Sequence, residues 1–265
     1  MGARRAARSE LPAIEVFDEV GSTNDLARER ALAGAPHGSA VRARVQRAGR
    51  GQQGHRWASP AGGLYLSVVL WPQIDPFLVS GISAVVGMAV VQTLRGLGAQ
   101  SVQLKWPNDV VCGRAKLGGI LAEAGLADGR GYAVCGVGIN IQTPQVTEGS
   151  PGALEATGLA ACLPAGSAAP SPAELAELVR AGIVDAADQW VASSQEAPGP
   201  LSSITEEYHE LLAFRGEPID LVSKDGTRTV HGVFLGVDDW GRARVHVPGD
   251  WRMIYDSAEY SLRPV

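Results

Sequence analysis

The sequence predicts an α/β (α+β) fold, in which one large domain is followed by a small β domain. Between residues 14 and 213, segments with strand patterning alternate with longer segments of helical patterning. After Phe214 the pattern changes to four or five short strands with closely spaced turns, which is typical of a small SH3-like barrel. We therefore divide the chain into a flexible tail over 1–13, a main domain over 14–213 and a C-terminal domain over 214–265.

The composition excludes several classes of protein. Hydrophobic residues make up 45% of the 265 residues, enough for a sizeable core, and the net charge of −5 gives no reason to expect nucleic acid or a membrane as partner. No apolar run approaches the roughly 18 residues of a membrane span, and the arginine-containing N-terminus lacks the apolar segment of a secretory signal. The three cysteines and five histidines show no disulfide or metal-ligand spacing, so we expect no metal site and a reducing cytoplasm.

The main domain opens with a short strand, a turn and a helix for which Ser22 is the expected N-cap, with Asp25 three residues later. Residues 39–46 alternate between apolar and polar positions, which predicts a half-buried strand. Residues 63–72 are apolar on both faces and predict a central strand. Residues 76–98 predict a buried helix that ends at Gly96 or Gly98.

The second half of this domain begins with strands over 102–142, in which Asp128-Gly129 marks a hairpin. Residues 143–170 are rich in Ala, Gly, Pro and Ser and are expected to form a long, poorly ordered loop. Ser171 and Glu174 form a capping box that opens a helix to about Ser194. A second box predicts a helix over 203–214.

Residues 49–54, GRGQQG, contain the pattern G-x-G-x-x-G. A dinucleotide site needs a helix directly after this loop, but a Ser-Pro step and a Gly-Gly pair follow instead, and then another strand. The absence of G-K-[ST] also excludes a Walker loop. Two interpretations remain open for the motif alone: a glycine nest that binds an anion together with Arg50, or a solvated hairpin turn.

Three further segments favour a ligand site. Residues 105–109, KWPND, bring a base, an aromatic ring, an amide and a carboxylate to a strand end, although an ordinary turn has the same pattern. Residues 116–120, KLGGI, place a lysine before two glycines, which also suits a surface lysine beside a bulge. Residues 136–140, GVGIN, leave one strand face bare, for a flat ligand or for a tightly packed neighbour. The four segments together favour the ligand site.

These segments, with Ser22-Thr23-Asn24, resemble the motifs of bacterial biotin protein ligases in order and spacing over residues 14–142, and residues 258–263 resemble that family's C-terminal β domain. The resemblance implies a mixed sheet like that of class II aminoacyl-tRNA synthetases, with an SH3-like barrel behind it. It also implies the activity: biotin and ATP, with Mg²⁺, give biotinyl-5′-AMP, and the biotin then passes to a lysine of a carboxylase's biotin carboxyl carrier domain.

The resemblance also implies the roles of individual residues. Lys116, Arg50 and Asp109 would be catalytic: Lys116 between the biotin carboxylate and the phosphate, Arg50 on the phosphates, and Asp109 orienting or deprotonating the acceptor amine. The remaining implied contacts are, for biotin, Ser22, Thr23, Asn24, Gln46, Gly51 and Gln52, with Arg50 and Lys116; and for ATP or the adenylate, Gly49, Trp57, Asn108, Asn140 and Arg263, with Glu259 as a further residue that would reach the site.

This chain departs from the family pattern at Gln52 and His55, where arginine is frequent, and lower positive charge there would weaken retention of the adenylate. The roughly 14 residues before the first strand leave no room for a helix-turn-helix, so we expect a monofunctional ligase, monomeric or weakly dimeric, without a repressor role. Two alternatives stay open: lipoate or octanoyl transfer on a similar fold, and a non-catalytic binding module such as a biotin sensor.

Overall fold

A seven-stranded mixed sheet forms the centre of the molecule in the computed structural model, which describes residues 11–52, 56–144, 154–249 and 254–265. The strand order is β1-β2-β3-β7-β6-β5-β4, with β1 and β2 parallel and all other neighbours antiparallel. The strands are β1 Glu15–Val20, β2 Ala40–Gln46, β3 Leu64–Leu70, β4 Val102–Lys105, β5 Asp109–Cys112, β6 Ala115–Ala127 and β7 Arg130–Ile139.

Local sequence explains the positions of these strands. β3 is buried along its whole length and lies between β2 and β7, which confirms the prediction of a central strand. β6 and β7 are joined by Asp128 and Gly129, whose φ angles of 49° and 75° are both positive. A two-residue hairpin turn of type I′ requires positive φ at both positions, and Asp-Gly tolerates it well. The predicted hairpin is therefore confirmed.

The described part of the chain contains five α-helices: α1 Thr23–Leu32, α2 Ile82–Gly96, α3 Leu159–Cys162, α4 Pro172–Ser193 and α5 Thr205–Leu211, with a 3-10 turn Pro76–Gly81 directly before α2. α2 ends at Gly96 as predicted, and the capping box of Ser171 and Glu174 is formed. Ser22 is the N-cap residue of α1 as predicted, although its side chain makes no cap hydrogen bond. The predicted start of α5 is wrong: its N-cap residue is Ile204, and the Ser203 hydroxyl bonds the Ser194 hydroxyl.

The segment Pro76–Gly96 is long and apolar enough to cross a membrane, which the sequence analysis did not expect; its mean hydropathy over 18 residues is 1.9. Of these 18 residues, 61% are buried inside the protein, and α2 packs against α4 and the sheet. The apolar character of the segment therefore serves the core.

A second, antiparallel sheet follows, with the order β11-β10-β9-β8-β12. Its strands are β8 Pro218–Ser223, β9 Thr229–Val237, β10 Ala243–His246, β11 Ile254–Tyr255 and β12 Tyr260–Pro264. Five strands agree with the prediction, whereas closure into an SH3-like barrel and the domain boundary at 214 stay predictions. The Trp106 indole N–H donates to Gly241 O at 2.8 Å, Ala213 N–H donates to Leu104 O at 2.7 Å, and both sheets contribute to one hydrophobic cluster.

The expectation of a poorly ordered loop over 143–170 is wrong for its described part. Lys116 N–H donates to Glu155 O at 2.6 Å, and Thr157 N–H donates to Lys116 O at 2.9 Å, so residues 155–157 run alongside the start of β6. The short helix α3 follows directly. The Ala- and Gly-rich composition allows this close backbone pairing, which places the segment behind a residue of the candidate site. Residues 145–153 lie outside the described part.

Candidate active site

A cavity of about 240 Å³ lies over the glycine-rich part of β6 and β7. Its walls are formed by the start of α1, the loop after β2, the turn before β5 and one end of the second sheet. The lining side chains come from all four segments that the sequence analysis singled out. The residues that line it are Ser22, Thr23, Asn24, Gln46, Arg50, Gly51, Gln52, Arg56, Trp57, Lys105, Pro107, Asn108, Asp109, Lys116, Gly119, Ile120, Leu121, Gly136, Val137, Gly138, Lys224, Ser257, Tyr260 and Ser261.

Asp109 is the carboxylate around which the basic side chains of the cavity floor are arranged. Its Oδ1 lies 2.5 Å from Lys116 Nζ, and its Oδ2 lies 3.0 Å from Lys105 Nζ. Burial alone would raise the pKa of Asp109, but the two ammonium groups lower it below its usual value. Asp109 is therefore ionised at neutral pH and holds two positive charges in a fixed arrangement.

The position of Lys116 depends on a β-bulge. The register between β5 and β6 shifts at Val110/Val111, so that Val110 pairs with Gly118 and Val111 with Lys116. A bulge re-aims side chains at the edge of a ladder. Here the lysine side chain lies between Asp109 and the Trp57 ring, with its Nζ 5.4 Å from the ring centroid. The sequence analysis offered a surface lysine beside a bulge as one interpretation. The bulge is present, but the lysine side chain lines the cavity.

A hydrogen-bonded network of buried polar side chains stands at the start of α1. Gln46 Nε2 donates to Ser59 Oγ at 2.9 Å, which fixes the amide so that Gln46 Oε1 accepts from Thr23 N–H at 2.9 Å. Ser67 Oγ lies 2.6 Å from Asn24 Oδ1 and 2.8 Å from Thr23 Oγ1, and its single proton goes to one of them. Gln46 at the end of β2 and Ser67 in the middle of β3 therefore hold the Ser22-Thr23-Asn24 segment in a defined orientation.

Glycines at alternate positions of β7 make room for two of these side chains. A Cβ at Gly136 would lie 2.2 Å from Asn24 Oδ1, and a Cβ at Gly138 would lie 2.7 Å from Trp57 Nε1. Side chains of the protein itself thus cover the bare strand face. The indole N–H of Trp57 is buried against Gly138 and has no hydrogen-bond partner among the described residues.

Arg50 is held by carboxylates on two other elements. Its NH1 donates to both oxygens of Asp25 at 2.9 Å, and its NH2 lies 3.3 Å from Glu123 Oε2. Partial burial would lower the pKa of Arg50, but these carboxylates raise it above its ordinary value. Glu123 also accepts from Asn24 Nδ2 at 2.7 Å. This network links the glycine loop to α1 and β6, so the guanidinium is already oriented toward the cavity.

Four of the sequence-predicted site residues, Gly49, Asn140, Arg263 and Glu259, do not line the cavity. Gly49 packs against the loop, because a Cβ there would lie 2.5 Å from Trp57 O. The amide of Asn140 donates to Thr157 O at 3.2 Å and so holds the segment beside Lys116. Arg263 lies on β12 opposite Asp220. Glu259 is likewise outside the lining, and His55 is outside the described residues.

The sequence analysis missed several residues that line the cavity or orient its side chains. Arg56 and Lys105 stand within the quoted motifs, so the motifs themselves could have pointed to them. Asp25 and Glu123 orient Arg50 through long-range pairs that no local pattern shows. Lys224 comes from the second sheet and has no motif around it.

Similarity to known proteins identifies the class of enzyme to which this fold and this site belong. The sequence pattern of the Biotin/lipoate A/B protein ligase family matches residues 16–140. The biotin--[acetyl-CoA-carboxylase] ligase of Paracoccus denitrificans is 33% identical over 234 residues, which is 86% of this chain and 92% of the relative. The chain belongs to the biotin protein ligase family.

Two further proteins show how much of their length and of their fold this chain shares. The bifunctional ligase/repressor BirA of Escherichia coli is 38% identical over 137 residues, a match that covers 51% of this chain and only 42% of the relative. The biotin protein ligase of Aquifex aeolicus in complex with biotin and ATP superimposes with a TM-score of 0.73 and 26% identity, and the match covers 95% of this chain and 99% of that structure.

Proposed function

We propose that this protein is an ATP-dependent biotin protein ligase that forms biotinyl-5′-AMP and transfers the biotin to a lysine of a biotin carboxyl carrier domain. The observation that carries this proposal is the Lys105–Asp109–Lys116 cluster beside Arg50 in one cavity. The family's activity and the biotin- and ATP-bound state of the Aquifex structure support it. The carrier would be the chain's protein partner; cytoplasmic location and a monomer or weak homodimer complete the proposal.

The first step joins two anions. A carboxylate oxygen of biotin attacks the α-phosphorus of ATP, a new P–O bond forms, the bond to the β-phosphate oxygen breaks, and pyrophosphate leaves. Lys116 supplies the positive charge between the two reacting groups, and Arg50 supplies a second one from the loop. Groups that are already oriented need no reorganisation when charge develops, which is the main source of electrostatic catalysis.

The network at α1 is the proposed biotin site. A neutral urea has both donors and acceptors, and the hydroxyls and amides of Ser22, Thr23, Asn24 and Gln46 offer both. Gly51 and Gln52 line the neighbouring wall. Because Gln46 and Asn24 are already fixed by Ser59 and Ser67, binding costs little side-chain entropy.

The opposite part of the cavity is the proposed nucleotide site, with Trp57 and Asn108 as contacts. Asn108 Nδ2 donates to Ile120 O at 2.8 Å, which fixes its carbonyl oxygen. Among the described residues no three His, Cys, Asp or Glu side chains form a metal cluster, and Asp109 is the one carboxylate in the lining. This set suits Mg²⁺ brought in by the phosphates, because Mg²⁺ needs only one or two protein carboxylates there and supplies charge neutralisation.

In the second step the neutral amine of the acceptor lysine attacks the carbonyl carbon of the adenylate; the C–N bond forms, the C–O bond to the phosphate breaks, AMP leaves, and the amine proton passes to solvent. The lowered pKa of Asp109 makes it a weak base but a good hydrogen-bond acceptor. We therefore assign it the orientation of Lys116 and of the incoming amine, in preference to proton removal.

Incubation of the chain with ATP, Mg²⁺, biotin and a purified carrier domain tests the proposal. We expect biotin on the carrier lysine, seen by mass spectrometry, and pyrophosphate release that depends on both ATP and biotin. Biotin binding without pyrophosphate release would instead identify a binding module.

The family pattern also covers lipoate ligases, so lipoate is the second candidate substrate. Calorimetry with biotin and with lipoate separates the two: the proposal predicts saturable binding of biotin, and saturable binding of lipoate alone would replace it.

A further inference from the structure

The lysines of this chain have an unusual distribution. Among 23 lysines and arginines there are only three lysines, Lys105, Lys116 and Lys224. All three line the cavity, although its lining comprises only 24 of the 265 residues. Of the arginines within the described ranges, only Arg50 and Arg56 do so. Outside the cavity the basic residues of the chain are arginines, whereas every lysine lies in its lining. This distribution favours a role for Lys224 in the cavity itself.

Lys224 occupies the hairpin between β8 and β9 of the second sheet. Its backbone N–H donates to Glu259 O at 3.0 Å, and its Nζ donates to Ser257 O. These two contacts tie the hairpin to the segment before β12; Ser257 from that segment and Tyr260 and Ser261 from the start of β12 also line the cavity. The second sheet therefore presents one ammonium group to a site whose other walls belong to the main sheet.

The charge of Lys224 is less neutralised than that of the other two lysines. Lys105 and Lys116 share the carboxylate of Asp109. Among the described residues Lys224 forms no ion pair, although Asp256 lies near enough to favour its charged form. Partial burial lowers the pKa of Lys224. Its Nζ is a further cationic position, separate from the Asp109 cluster and close to Asp256.

The placement of this ammonium relative to the cavity floor is fixed by packing between the sheets. The Trp106 indole N–H bonds Gly241 O, and Ala213 N–H bonds the carbonyl of Leu104, the residue before Lys105. Trp106 is almost fully buried between the two parts. The KWPND turn is therefore hydrogen-bonded through Trp106 to the turn between β9 and β10 of the second sheet.

We propose that Lys224 binds the β- and γ-phosphates of ATP and the pyrophosphate that leaves, while Lys116 acts at the α-phosphate. This inference rests on the proposed function. The triphosphate of ATP carries about four negative charges over three groups, more than one cationic cluster can neutralise. An ammonium on a flexible stem is a point charge that can follow a departing phosphate, whereas a guanidinium prefers one bidentate geometry.

The test uses three full-length variants. Lys224→Met and Lys224→Gln remove the ammonium, and Arg228→Met removes an equal charge from the same hairpin outside the cavity. The readouts are the KM for ATP in biotin-dependent ATP–pyrophosphate exchange, the Kd of biotin, and the Kd of a sulfamoyl analogue of biotinyl-AMP, which lacks the two outer phosphates.

For both Lys224 variants we expect the KM for ATP to rise about tenfold, the loss of one charge-assisted contact. The Kd values for biotin and the analogue stay unchanged, and Arg228→Met behaves as the wild type. An unchanged KM, or an equal loss of affinity for the analogue, would overturn the role of Lys224. If the wild-type protein itself shows no biotin-dependent exchange, the proposed function fails instead.

Discussion

The ammonium of Lys116 and the carboxylate of Asp109 approach to 2.5 Å in the floor of the cavity. Lys105 occupies the other carboxylate oxygen at 3.0 Å, so one negative charge holds two positive ones. The cluster therefore carries a net positive charge in a partly buried place. Such a site attracts an anion, and a bound carboxylate or phosphate would take over part of the role of Asp109 toward Lys116.

Replacing Asp109 by Asn should destabilise the protein, because two ammonium groups then lose their shared partner. Only 15% of the Asp109 side chain is exposed, and breaking a buried pair on one side costs about 3–5 kcal/mol. Thermal or urea unfolding of the ligand-free protein measures this change. ATP with biotin should restore part of the lost stability in the variant, because its anions supply the missing charge.

Comparison of the pH dependence of stability in the wild type and in Asp109→Asn shows whether the ionised carboxylate is the stabilising group. The pKa of Asp109 is lowered in the folded state, so its stabilising contribution is fully present above the ordinary pKa of 3.8 and is lost as the pH falls through the lowered folded value. The wild-type protein should lose stability in that acidic range more steeply than Asp109→Asn. Parallel stability curves for the two proteins would show that the cluster does not hold the ionised carboxylate.

Gly138→Ala should reduce the affinity for the nucleotide. The new methyl group would lie 2.7 Å from Trp57 Nε1, so the indole must move from the cavity wall. Overpacking of this kind costs typically about 1–3 kcal/mol. Gly131→Ala is the matched control on the same strand, because no atom lies within 4 Å of its added Cβ. Equal ATP affinity in the two variants, measured by calorimetry, would contradict the proposed position of Trp57.

Ser67→Ala should weaken biotin binding although Ser67 is fully buried and does not line the cavity. The variant removes the hydroxyl between Asn24 and Thr23, and leaving a buried polar group unpaired costs about 1–3 kcal/mol. Ser83→Ala is the control, since the buried Ser83 hydroxyl has no partner among the described residues. Calorimetry with biotin compares the two, and a normal Kd for Ser67→Ala would argue against orientation of Asn24 by Ser67.

Local sequence patterns predicted much of the fold and of the site. The central strand β3, the Asp128-Gly129 turn and the capping box of Ser171 depend on contacts within a few residues. The motifs also pointed to Lys116, Asp109 and Trp57 as site residues, and all three line the cavity. Glycine alternation in β7 correctly indicated a bare face, but only the tertiary structure shows Asn24 and Trp57 over it.

The parts that sequence patterns missed are set by contacts between distant segments. Arg50 pairs with Asp25 and Glu123, and Lys224 lines the cavity from the second sheet, which is joined to Trp106 through Gly241. The pairing of residues 155–157 with Lys116 was also hidden, because Ala- and Gly-rich composition is shared by disordered loops and by closely packed backbone. None of these features leaves a periodic signal along the chain.

The central claim is that the ammonium of Lys116 lets two anions meet, and biotin-dependent ATP–pyrophosphate exchange by Lys116→Met tests it most directly. We expect the exchange rate to fall at least about 10²–10³-fold, the usual cost of one preorganised electrostatic group, while the variant stays folded and Asp109 keeps its contact with Lys105. Exchange at the wild-type rate in a folded Lys116→Met protein would contradict the account.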